Sequence, residues 1–275
     1  MFKIIDKKVL NESVTSLKIE APFIAAKAKP GQFVIVRIDE TGERIPLTVS
    51  DFDSEAGTVT LVIQAVGYTT RKLSALNIGD SILDVVGPLG LPTEFGGPKK
   101  AIIVGGGVGC AIAYPQAKAL YNMGVDVTVI AGFRSKDIVI LEDEMKAVSN
   151  SFYVTTDDGS YGEKGLVTNV LDRLLKAEKY DLVIAIGPVI MMKFVALTTK
   201  PYGVKTIVSL NPIMIDGTGM CGGCRVCVDG KTKFACVDGP DFDGHKVDFD
   251  ELMRRNTLFR EEEAHVCRLK EQKNG

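Results

Sequence analysis

The sequence is poor in histidine and has no long apolar run. It contains two histidines, His245 and His265, which leaves little for hydrolytic chemistry with a histidine base or for histidine-rich metal sites. No apolar stretch approaches the roughly 20 residues that a membrane-spanning helix needs. Residues 1–13 mix charges with apolar side chains, unlike a secretory signal peptide. We therefore expect a cytoplasmic protein without a membrane partner.

An excess of charge of one sign is also missing. The 33 basic and 35 acidic residues give a formal net charge of −2, so the composition does not favour a nucleic-acid partner. The length of 275 residues is about twice the common domain size. With 45% hydrophobic residues, the chain is expected to be globular, with two domains that each bury a core.

Cysteine is too sparse for a disulfide scaffold, but it is clustered. Of the six cysteines, four fall within positions 221–236, and such clustering is typical of a metal site. Cys110 and Cys267 have no partner in this pattern, and we expect them to be ordinary thiols rather than catalytic ones.

Changes in composition divide the chain into four segments. Residues 1–98 consist of short β-branched runs separated by turn residues, which predicts a small antiparallel β-barrel or sandwich. In residues 99–210, apolar strands alternate with helical segments, which predicts a parallel sheet flanked by helices. Residues 211–248 are rich in glycine and cysteine and predict a small metal-holding appendage. The charged residues 249–275 predict a helical extension that is solvated or faces a partner.

A glycine-rich turn joins the apolar strand AIIV to a helical segment. Its residues are Gly105, Gly106, Gly107, Val108 and Gly109. Such a turn lets backbone N–H groups approach a pyrophosphate at a helix N-terminus. The spacing departs from the full dinucleotide fingerprint, because Cys110 stands where the third glycine would fall. A second turn, Gly187-Pro188, also follows a strand, and the two turns together favour dinucleotide binding over tight turns alone.

Asp157 and Asp158 follow the strand FYVTT. They are placed to contact the ribose or amide of a nucleotide, although a plain turn explains the same residues equally well. Their charge would repel a 2′-phosphate, which predicts NAD(H) over NADP(H). Arg134 and Lys136, after the strand VTVIAGF, favour the opposite preference.

Two segments of the first region are candidates for a flavin nucleotide. One combines a cation, a rigid turn and a hydroxyl, and the other offers small and hydroxyl residues where a helix begins, an end that favours phosphate. Their residues are Arg44, Pro46, Leu47 and Thr48 in the first and Gly67, Thr69 and Thr70 in the second. Each segment alone is better explained by a hairpin turn or a helix cap. Together they predict FAD rather than FMN, because FMN has no pyrophosphate for the second segment.

The cysteine segment carries the most specific pattern. Asp216, Cys221, Cys224 and Cys236 are separated by four, two and eleven residues. This is the plant-type [2Fe–2S] spacing, C-x4-C-x2-C…C, with aspartate in the first position. The alternative is a structural zinc ion on Cys227 and the other three cysteines. We favour the cluster because zinc does not explain the glycine-rich D-x4-C register, and because Cys227 falls in a short strand beyond the loop.

Several motifs occur in an order that resembles one family. They are R-x-P-L-T at 44–48, G-x-x-T at 67–70, GPLG at 87–90, GGGVG at 105–109, DDGSYG at 157–162, GPxxMM at 187–192 and DGTGMCGGC at 216–224. The order closely resembles the ferredoxin–NADP reductase-like electron-transfer subunits. It looks most like the small subunits of NADH-dependent ferredoxin:NADP oxidoreductases, the electron-bifurcating transhydrogenases. The electron-transfer subunits of dihydroorotate dehydrogenase are more distant relatives.

The resemblance implies FAD in the barrel, NAD(H) on the α/β domain and a [2Fe–2S] cluster near the C-terminus. It assigns Thr48 to the flavin ring, the G-x-x-T segment to the flavin pyrophosphate, and Gly87 to cofactor binding. The glycine turn at 105–109 and Gly187-Pro188 would frame the dinucleotide. No acid–base residue is needed, since hydride passes directly between stacked nicotinamide and flavin rings.

The resemblance also implies a larger partner subunit that carries flavin and [4Fe–4S] clusters and binds NADP, with ferredoxin an indirect partner through the complex. Service in dihydroorotate dehydrogenase and a zinc-binding scaffold are the alternatives. The chain departs from the family at three positions. Leu47 replaces an aromatic residue, Arg44 lies one residue too far upstream for its phosphate role, and Ile186 replaces a cysteine that many relatives carry.

Overall fold

The structure, a computed structural model, describes residues 1–259, 261–265 and 267–268. The first region contains β1 (Phe2–Val9), β2 (Val14–Glu20), α1 (Pro22–Ala25), β3 (Phe33–Arg37), β4 (Ile45–Asp53), β5 (Thr58–Gln64), α2 (Tyr68–Ala75), β6 (Ser81–Ile82) and β7 (Asp84–Leu89). Its strands form one sheet in the order β6-β1-β2-β5-β4-β3-β7. Neighbouring strands are antiparallel and the sheet curls into a nearly closed barrel, which confirms the predicted antiparallel barrel.

A two-residue period in the strands builds the core of this barrel. In β5, Val59, Leu61 and Ile63 are fully buried. Leu17 and Ile19 of the neighbouring β2 lie directly opposite Leu61 and Val59 and are fully buried as well. Because successive strand residues point to opposite faces, this alternation places every second apolar side chain inside the barrel.

The second region is a sheet covered by helices. It contains β8 (Lys100–Gly106), α3 (Gly109–Asn122), β9 (Asp126–Phe133), α4 (Glu142–Ala147), β10 (Ser151–Thr156), β11 (Glu163–Lys164), α5 (Val167–Ala177), β12 (Leu182–Ile186), α6 (Val189–Thr199) and β13 (Lys205–Ser209), with 3-10 turns at Lys136–Ile138 and Lys200–Tyr202. These strands run parallel in the order β11-β10-β9-β8-β12-β13, as predicted. The inner strand β12 is buried along its whole length, as expected of a strand covered on both faces.

A proline inside α3 shapes the contact between the two regions. Pro115 has no N–H, so the carbonyl of Ala111, four residues earlier, loses its usual helical donor. The hydroxyl of Ser50 on β4 donates to this carbonyl at 2.5 Å. The interruption of the helical hydrogen bonds is therefore used to join α3 to the barrel.

The last region begins after β13 and is joined to both others. It contains β14 (Arg225–Val228), β15 (Lys231–Phe234), α7 (Ala235–Asp238), β16 (Asp241–Asp243) and α8 (Phe249–Arg255). The first two strands form a hairpin, while β16 adds to the edge of the second sheet, antiparallel to β13. The cysteine-rich segment is thus fixed by main-chain hydrogen bonds as well as by packing.

The charged end of the chain does not begin as a solvated extension. In α8, Phe249 is 6% exposed and Leu252 is 1% exposed, and both lie in the large core cluster. The Asp248 carboxylate caps this helix by accepting from the Glu251 N–H at 2.9 Å. The predicted helix is present over Phe249–Arg255, but its apolar side packs against the core of this chain, so the expectation of an extension that is solvated or faces a partner is wrong for these residues. Residues 261–265 are helical, and residues 260, 266 and 269–275 lie outside the described part.

Within the described part of the chain, no helix is both long and apolar enough to cross a membrane.

Candidate functional site

The segment that carries Thr48 is a strand and not the rigid turn that the sequence indicated. Phe33, Val34 and Ile35 of β3 lie opposite Thr48, Leu47 and Pro46 of β4, respectively. A proline is tolerated there because the pairing of β4 with its other neighbour, β5, begins only at Val49. Arg44 is exposed and lies just before the strand.

The G-x-x-T segment begins a helix, as predicted. Gly67 is the N-cap of α2, and a side chain at Gly67 would meet nothing within 4 Å. The Thr70 hydroxyl accepts from the N–H groups of Val66 and Gly67 at 3.0 and 2.9 Å, so it shapes the turn itself. The Thr69 hydroxyl donates to Glu43 at 2.8 Å, which draws the start of β4 towards this helix.

Two features of this end of the barrel suit a flavin nucleotide. The first turn of α2 begins at Gly67, where the surface is open, and the N-terminal turn of a helix is an end that favours phosphate. The two predicted flavin segments are also neighbours, as binding of one extended nucleotide requires. Gly87 on β7 faces β3 instead, because a Cβ there would lie 2.7 Å from Val34 Cγ1 and 3.1 Å from the Phe33 carbonyl oxygen.

The two glycine turns of the second region meet at the carboxyl ends of β8 and β12. A Cβ on Gly109 would collide with the Ile186 carbonyl oxygen and lie 2.8 Å from the Gly187 Cα. A Cβ on Gly187 would lie 3.1 Å from the Gly106 Cα. Three of the predicted dinucleotide glycines therefore have a packing role, because they allow the two turns to touch.

Gly107 differs from its neighbours in this turn. Its φ is +56°, a region that suits glycine, and a Cβ there would meet nothing within 4 Å. Val108 is the N-cap residue of α3. The turn is therefore open where the helix begins, at the place where a pyrophosphate would approach.

Two sulfur side chains border this turn, and the sequence indicated only one of them. Burial raises the pKa of the Cys110 thiol to about 12, so this thiol is unreactive, as expected. Met191 on α6 received no role from the sequence, yet its side chain covers Gly106 and lies 2.8 Å from a Cβ built on Gly187. The GPxxMM motif contains Met191, and this was the sequence signal that could have identified it.

The acidic and basic candidates for dinucleotide preference lie side by side. Phe133 at the end of β9 is in register with Thr156 at the end of β10. The Asp157 N–H donates to the Phe133 carbonyl at 3.1 Å, and the Asp158 N–H donates to the Arg134 carbonyl at 3.2 Å. Hydrogen bonds from Ser160 lower the pKa of Asp158, so it is ionised in the loop. Asp157 is exposed at this edge.

The four predicted cluster ligands form two pairs. The Cys221 thiol lies 3.1 Å from the Asp216 carboxylate, and the Cys224 and Cys236 sulfurs are 3.1 Å apart. Each iron of a [2Fe–2S] cluster takes two protein ligands besides the bridging sulfides. Two close pairs, rather than one compact set of four, are the arrangement that such a cluster requires.

The ionisation of these donors differs between the two pairs. The hydrogen bond from Cys221, with further ones from Thr218 and Met220, lowers the pKa of Asp216 to about 2. Burial and the neighbouring Cys224 raise the pKa of the Cys236 thiol. Binding of iron would displace the thiol proton, as metal binding does generally.

Cys227 lies apart from these pairs. Its neighbour Val226 is buried with Cys224 and Cys236, whereas Cys227 shows its side chain to the other face of β14. A zinc ion about 2.3 Å from four sulfurs would hold those sulfurs about 3.8 Å apart. Among the described residues, one set of three possible metal-binding side chains has its donor atoms within 4.8 Å of one another. This set is Cys227, Asp248 and Glu251, and it contains only one cysteine. The structure therefore does not assemble the four-cysteine zinc site.

The cluster loop packs directly on the barrel. Gly217 has a φ of +76°, and a Cβ there would lie 2.7 Å from Ile35 Cγ1 and 3.0 Å from Leu89 Cδ1. Only a residue without a side chain allows this approach. The strand β3 thus contacts the loop of Asp216 and also pairs with the strand of Thr48.

Comparison with known proteins finds one family match within the chain and relatives along nearly its whole length. Residues 211–248 match the family described as the iron–sulfur cluster binding domain of dihydroorotate dehydrogenase B. A Thermotoga maritima protein, named as a homolog of the dihydroorotate dehydrogenase B (NAD(+)) electron transfer subunit, is 51% identical over 261 residues, which are 95% of this chain and 92% of that protein. The electron transfer subunit of Geobacillus thermodenitrificans is 34% identical over 89% of this chain and 96% of its own length.

A solved structure is similar over nearly the whole chain. It superposes with a TM-score of 0.93 at 48% identity and covers 98% of this chain and 97% of its own. That structure is described as giving insights into flavin-based electron bifurcation in the NADH-dependent reduced ferredoxin-NADP oxidoreductase. The agreement confirms the ferredoxin–NADP reductase-like fold with its cluster-binding end.

Proposed function

This chain belongs to the family of electron-transfer subunits that includes those of dihydroorotate dehydrogenase B, and we propose its function from that premise. It is the subunit of an oxidoreductase that exchanges hydride between NAD(H) and FAD. It passes single electrons through a [2Fe–2S] cluster to a larger partner subunit. No side chain acts as an acid or a base in this reaction.

One observation carries the proposal: a single strand lies between the flavin segment and the cluster loop. Phe33 is opposite Thr48, and Ile35, two residues along β3, contacts Gly217 of the cluster loop. This contact supports a two-electron site and a one-electron site on the two sides of one strand. An electron-transfer subunit needs this arrangement, whereas a redox-silent scaffold has no use for it.

The residues fit the proposed groups at each place. When bound, FAD accepts an electron pair with the hydride and a [2Fe–2S] cluster takes one electron at a time. Thr48 is placed to hydrogen-bond the flavin ring, with Pro46 and Leu47 beside it, and the first turn of α2 at Gly67, Thr69 and Thr70 receives the pyrophosphate. We assign Arg44 and Gly87 to the border of this site.

For the dinucleotide, we propose that the open side of the turn at Gly107 and Val108 faces the pyrophosphate. A side chain would not fit at glycines 105, 106 and 109, and the Gly187-Pro188 turn packs closely against Gly106 and Gly109. Asp157 and Asp158 would contact the ribose and disfavour a 2′-phosphate, so NAD(H) is the preferred dinucleotide.

For the cluster, we propose Asp216 and Cys221 on one iron and Cys224 and Cys236 on the other. The 3.1 Å separations within both pairs support this division. Cys227 is not a ligand in this assignment.

Cofactor analysis of the purified chain tests the proposal. We expect FAD as the extracted flavin, two irons and two acid-labile sulfides per chain, and bleaching of the flavin absorbance on anaerobic addition of NADH. A cluster signal should then appear by electron paramagnetic resonance. Zinc without flavin would refute the proposal, and FMN as the sole flavin would refute the assignment of the G-x-x-T segment.

The partner is proposed at two levels. Membership of a family of electron-transfer subunits supports a larger partner subunit in general. We further propose a partner with flavin and [4Fe–4S] clusters that uses NADP, with ferredoxin reached through the complex. The full-length similarity to the ferredoxin-NADP oxidoreductase structure supports this choice over service in dihydroorotate dehydrogenase.

Copurification from the native cell and identification of the bound subunit decide between these partners. A dihydroorotate-oxidising subunit would favour the alternative. A cytoplasmic location remains a prediction, which fractionation of the same cells would test.

A further inference from the structure

A buried carboxyl group lies where all three regions of the chain meet, and the proposed reaction does not use it. Asp241 is the first residue of β16 and lies opposite Ser209 of β13. The Thr93 hydroxyl, from the link between the barrel and the second sheet, donates to Asp241 Oδ2 at 2.5 Å. The amide nitrogen of Gln116 on α3 lies 3.4 Å from the same oxygen.

Two buried acceptor atoms at this junction have no hydrogen-bond donor among the described residues. Gln116 is fully buried, and its oxygen Oε1 has no hydrogen-bond partner among the described residues. The second carboxyl oxygen, Asp241 Oδ1, is also buried and lacks a described donor. Two neighbouring side chains thus present acceptors that are withdrawn from water, and each such acceptor is costly to leave unpaired.

The groups around the carboxyl cannot neutralise its charge. They are the hydroxyls of Thr93 and Ser209, the amide of Gln116 and the backbone of Gly31, where a Cβ would lie 3.0 Å from Asp241 Oδ2. All of these groups are uncharged. Because none of these described neighbours is a cation, the buried carboxyl group is expected to hold its proton more tightly than one in water.

We propose that Asp241 is a proton-binding positioning residue, which carries a proton in mildly acidic solution when the three regions are packed together. The proton converts one unpaired acceptor into a donor and supplies the hydrogen that the Asp241 and Gln116 pair lacks. Loss of the proton leaves a buried charge among neutral groups and weakens the packing of β16, and with it the cluster segment, against the other two regions.

The expected ionisation agrees with this geometry. Burial raises the pKa of Asp241 from 3.8 to about 6, against the opposing effect of the Thr93 and Ser209 hydroxyls. A carboxyl whose pKa is higher in the folded chain than in the unfolded chain stabilises the fold fully below about pH 4. That contribution is lost as the pH rises through about 6, and it is absent at neutral pH.

The variant Asp241→Asn tests the proposal, because an amide resembles a protonated carboxyl in shape and cannot ionise. The measurement is urea unfolding of the wild-type and variant chains, with their cofactors bound, from about pH 4 to about pH 8. We expect equal stabilities at the acid end. Above about pH 7, the variant should be more stable by on the order of 100-fold in the unfolding equilibrium constant, the factor that corresponds to a pKa change of about two units.

The matched control is Asp243→Asn, which changes an exposed carboxyl two residues along the same strand. Its difference from the wild type should not vary with pH in this range. A pH-independent difference for Asp241→Asn, or the same profile for both variants, would overturn the proposal. Neither outcome bears on hydride or electron transfer, so the proposed function stands or falls separately.

A second measurement uses the wild-type chain and does not require the variant to fold. The amides of Leu91 and Leu210 donate to the carbonyls of Gly239 and Pro240 at 2.6 and 2.9 Å and so report on this junction. After correction for the intrinsic pH dependence of exchange, they should be less protected at about pH 7.5 than at about pH 5. Equal protection at both pH values would contradict a proton-linked junction.

Discussion

The dinucleotide turn at residues 105–109 and the cluster loop at residues 216–224 are both rich in glycine, but for different reasons. In the turn, Gly106 and Gly109 are needed because the turn after β8 touches the turn after β12, so the chain itself fills the space of a side chain. In the loop, Cys221 is exposed and Met220 is 88% exposed, whereas Gly217 packs on β3. Glycine thus serves close packing in the turn, and in the loop it serves packing on the barrel together with an open backbone around the proposed cluster.

This comparison predicts how each region fails. Damage to the turn should unfold part of the second sheet, because backbone atoms must move apart. Damage to the exposed part of the loop, at Met220 and Cys221, should remove the proposed cluster while leaving most of the fold intact, because these side chains are not part of a core.

The largest effect is expected from the cluster cysteines. Cys224→Ser or Cys236→Ser removes one member of a close pair and should abolish the cluster, whereas Cys227→Ser should keep it with little spectral change. Iron analysis and the visible spectrum measure both outcomes. Cluster loss in Cys227→Ser, with retention in Cys236→Ser, would contradict the assigned pairs.

The second prediction contrasts two glycines within the dinucleotide turn. Gly109→Ala drives a methyl group into the Ile186 carbonyl and should lower the free energy of unfolding by about 3 kcal/mol. Gly107→Ala meets open space at a φ of +56° and should cost only about 1 kcal/mol. Urea unfolding gives both values. Equal costs would show that packing does not explain the glycines of this turn.

A smaller effect is expected from the carboxylate ligand. Asp216→Cys should keep the cluster and shift its reduction potential, since a thiolate replaces a hard oxygen donor. Asp216→Ala should lose or destabilise the cluster. Redox titration followed by electron paramagnetic resonance measures the shift, and an unaltered signal in Asp216→Ala would remove Asp216 from the ligand set.

The smallest effect concerns the choice of dinucleotide. Asp157→Ser removes one exposed charge at the edge of the sheet and should raise the ratio of NADPH to NADH use by roughly threefold, because exposed charges interact weakly. Steady-state rates with an artificial electron acceptor give this ratio. A wild-type chain that uses NADPH better than NADH would overturn the predicted preference.

The sequence predicted most of the fold because its signals were local. Alternation in β5, apolar strands followed by glycine turns, and the D-x4-C-x2-C register each depend on residues close together in the chain. The rigid turn expected at Pro46 proved to be a strand, since the partial edge of β4 accommodates a proline. Asp241 and Gln116 gave no signal, because their contact joins residues 125 positions apart.

The interrupted helix α3 has a consequence for how this chain can vary. Because residue 115 is a proline, the Ala111 carbonyl has the Ser50 hydroxyl as a donor where a helical N–H would be. A variant with another residue at position 115 regains the helical hydrogen bond, and the hydroxyl at position 50 then shares its acceptor and contributes less. Proline at 115 and a hydroxyl at 50 are therefore expected to be kept or lost together among related chains, as a pair that spans two regions.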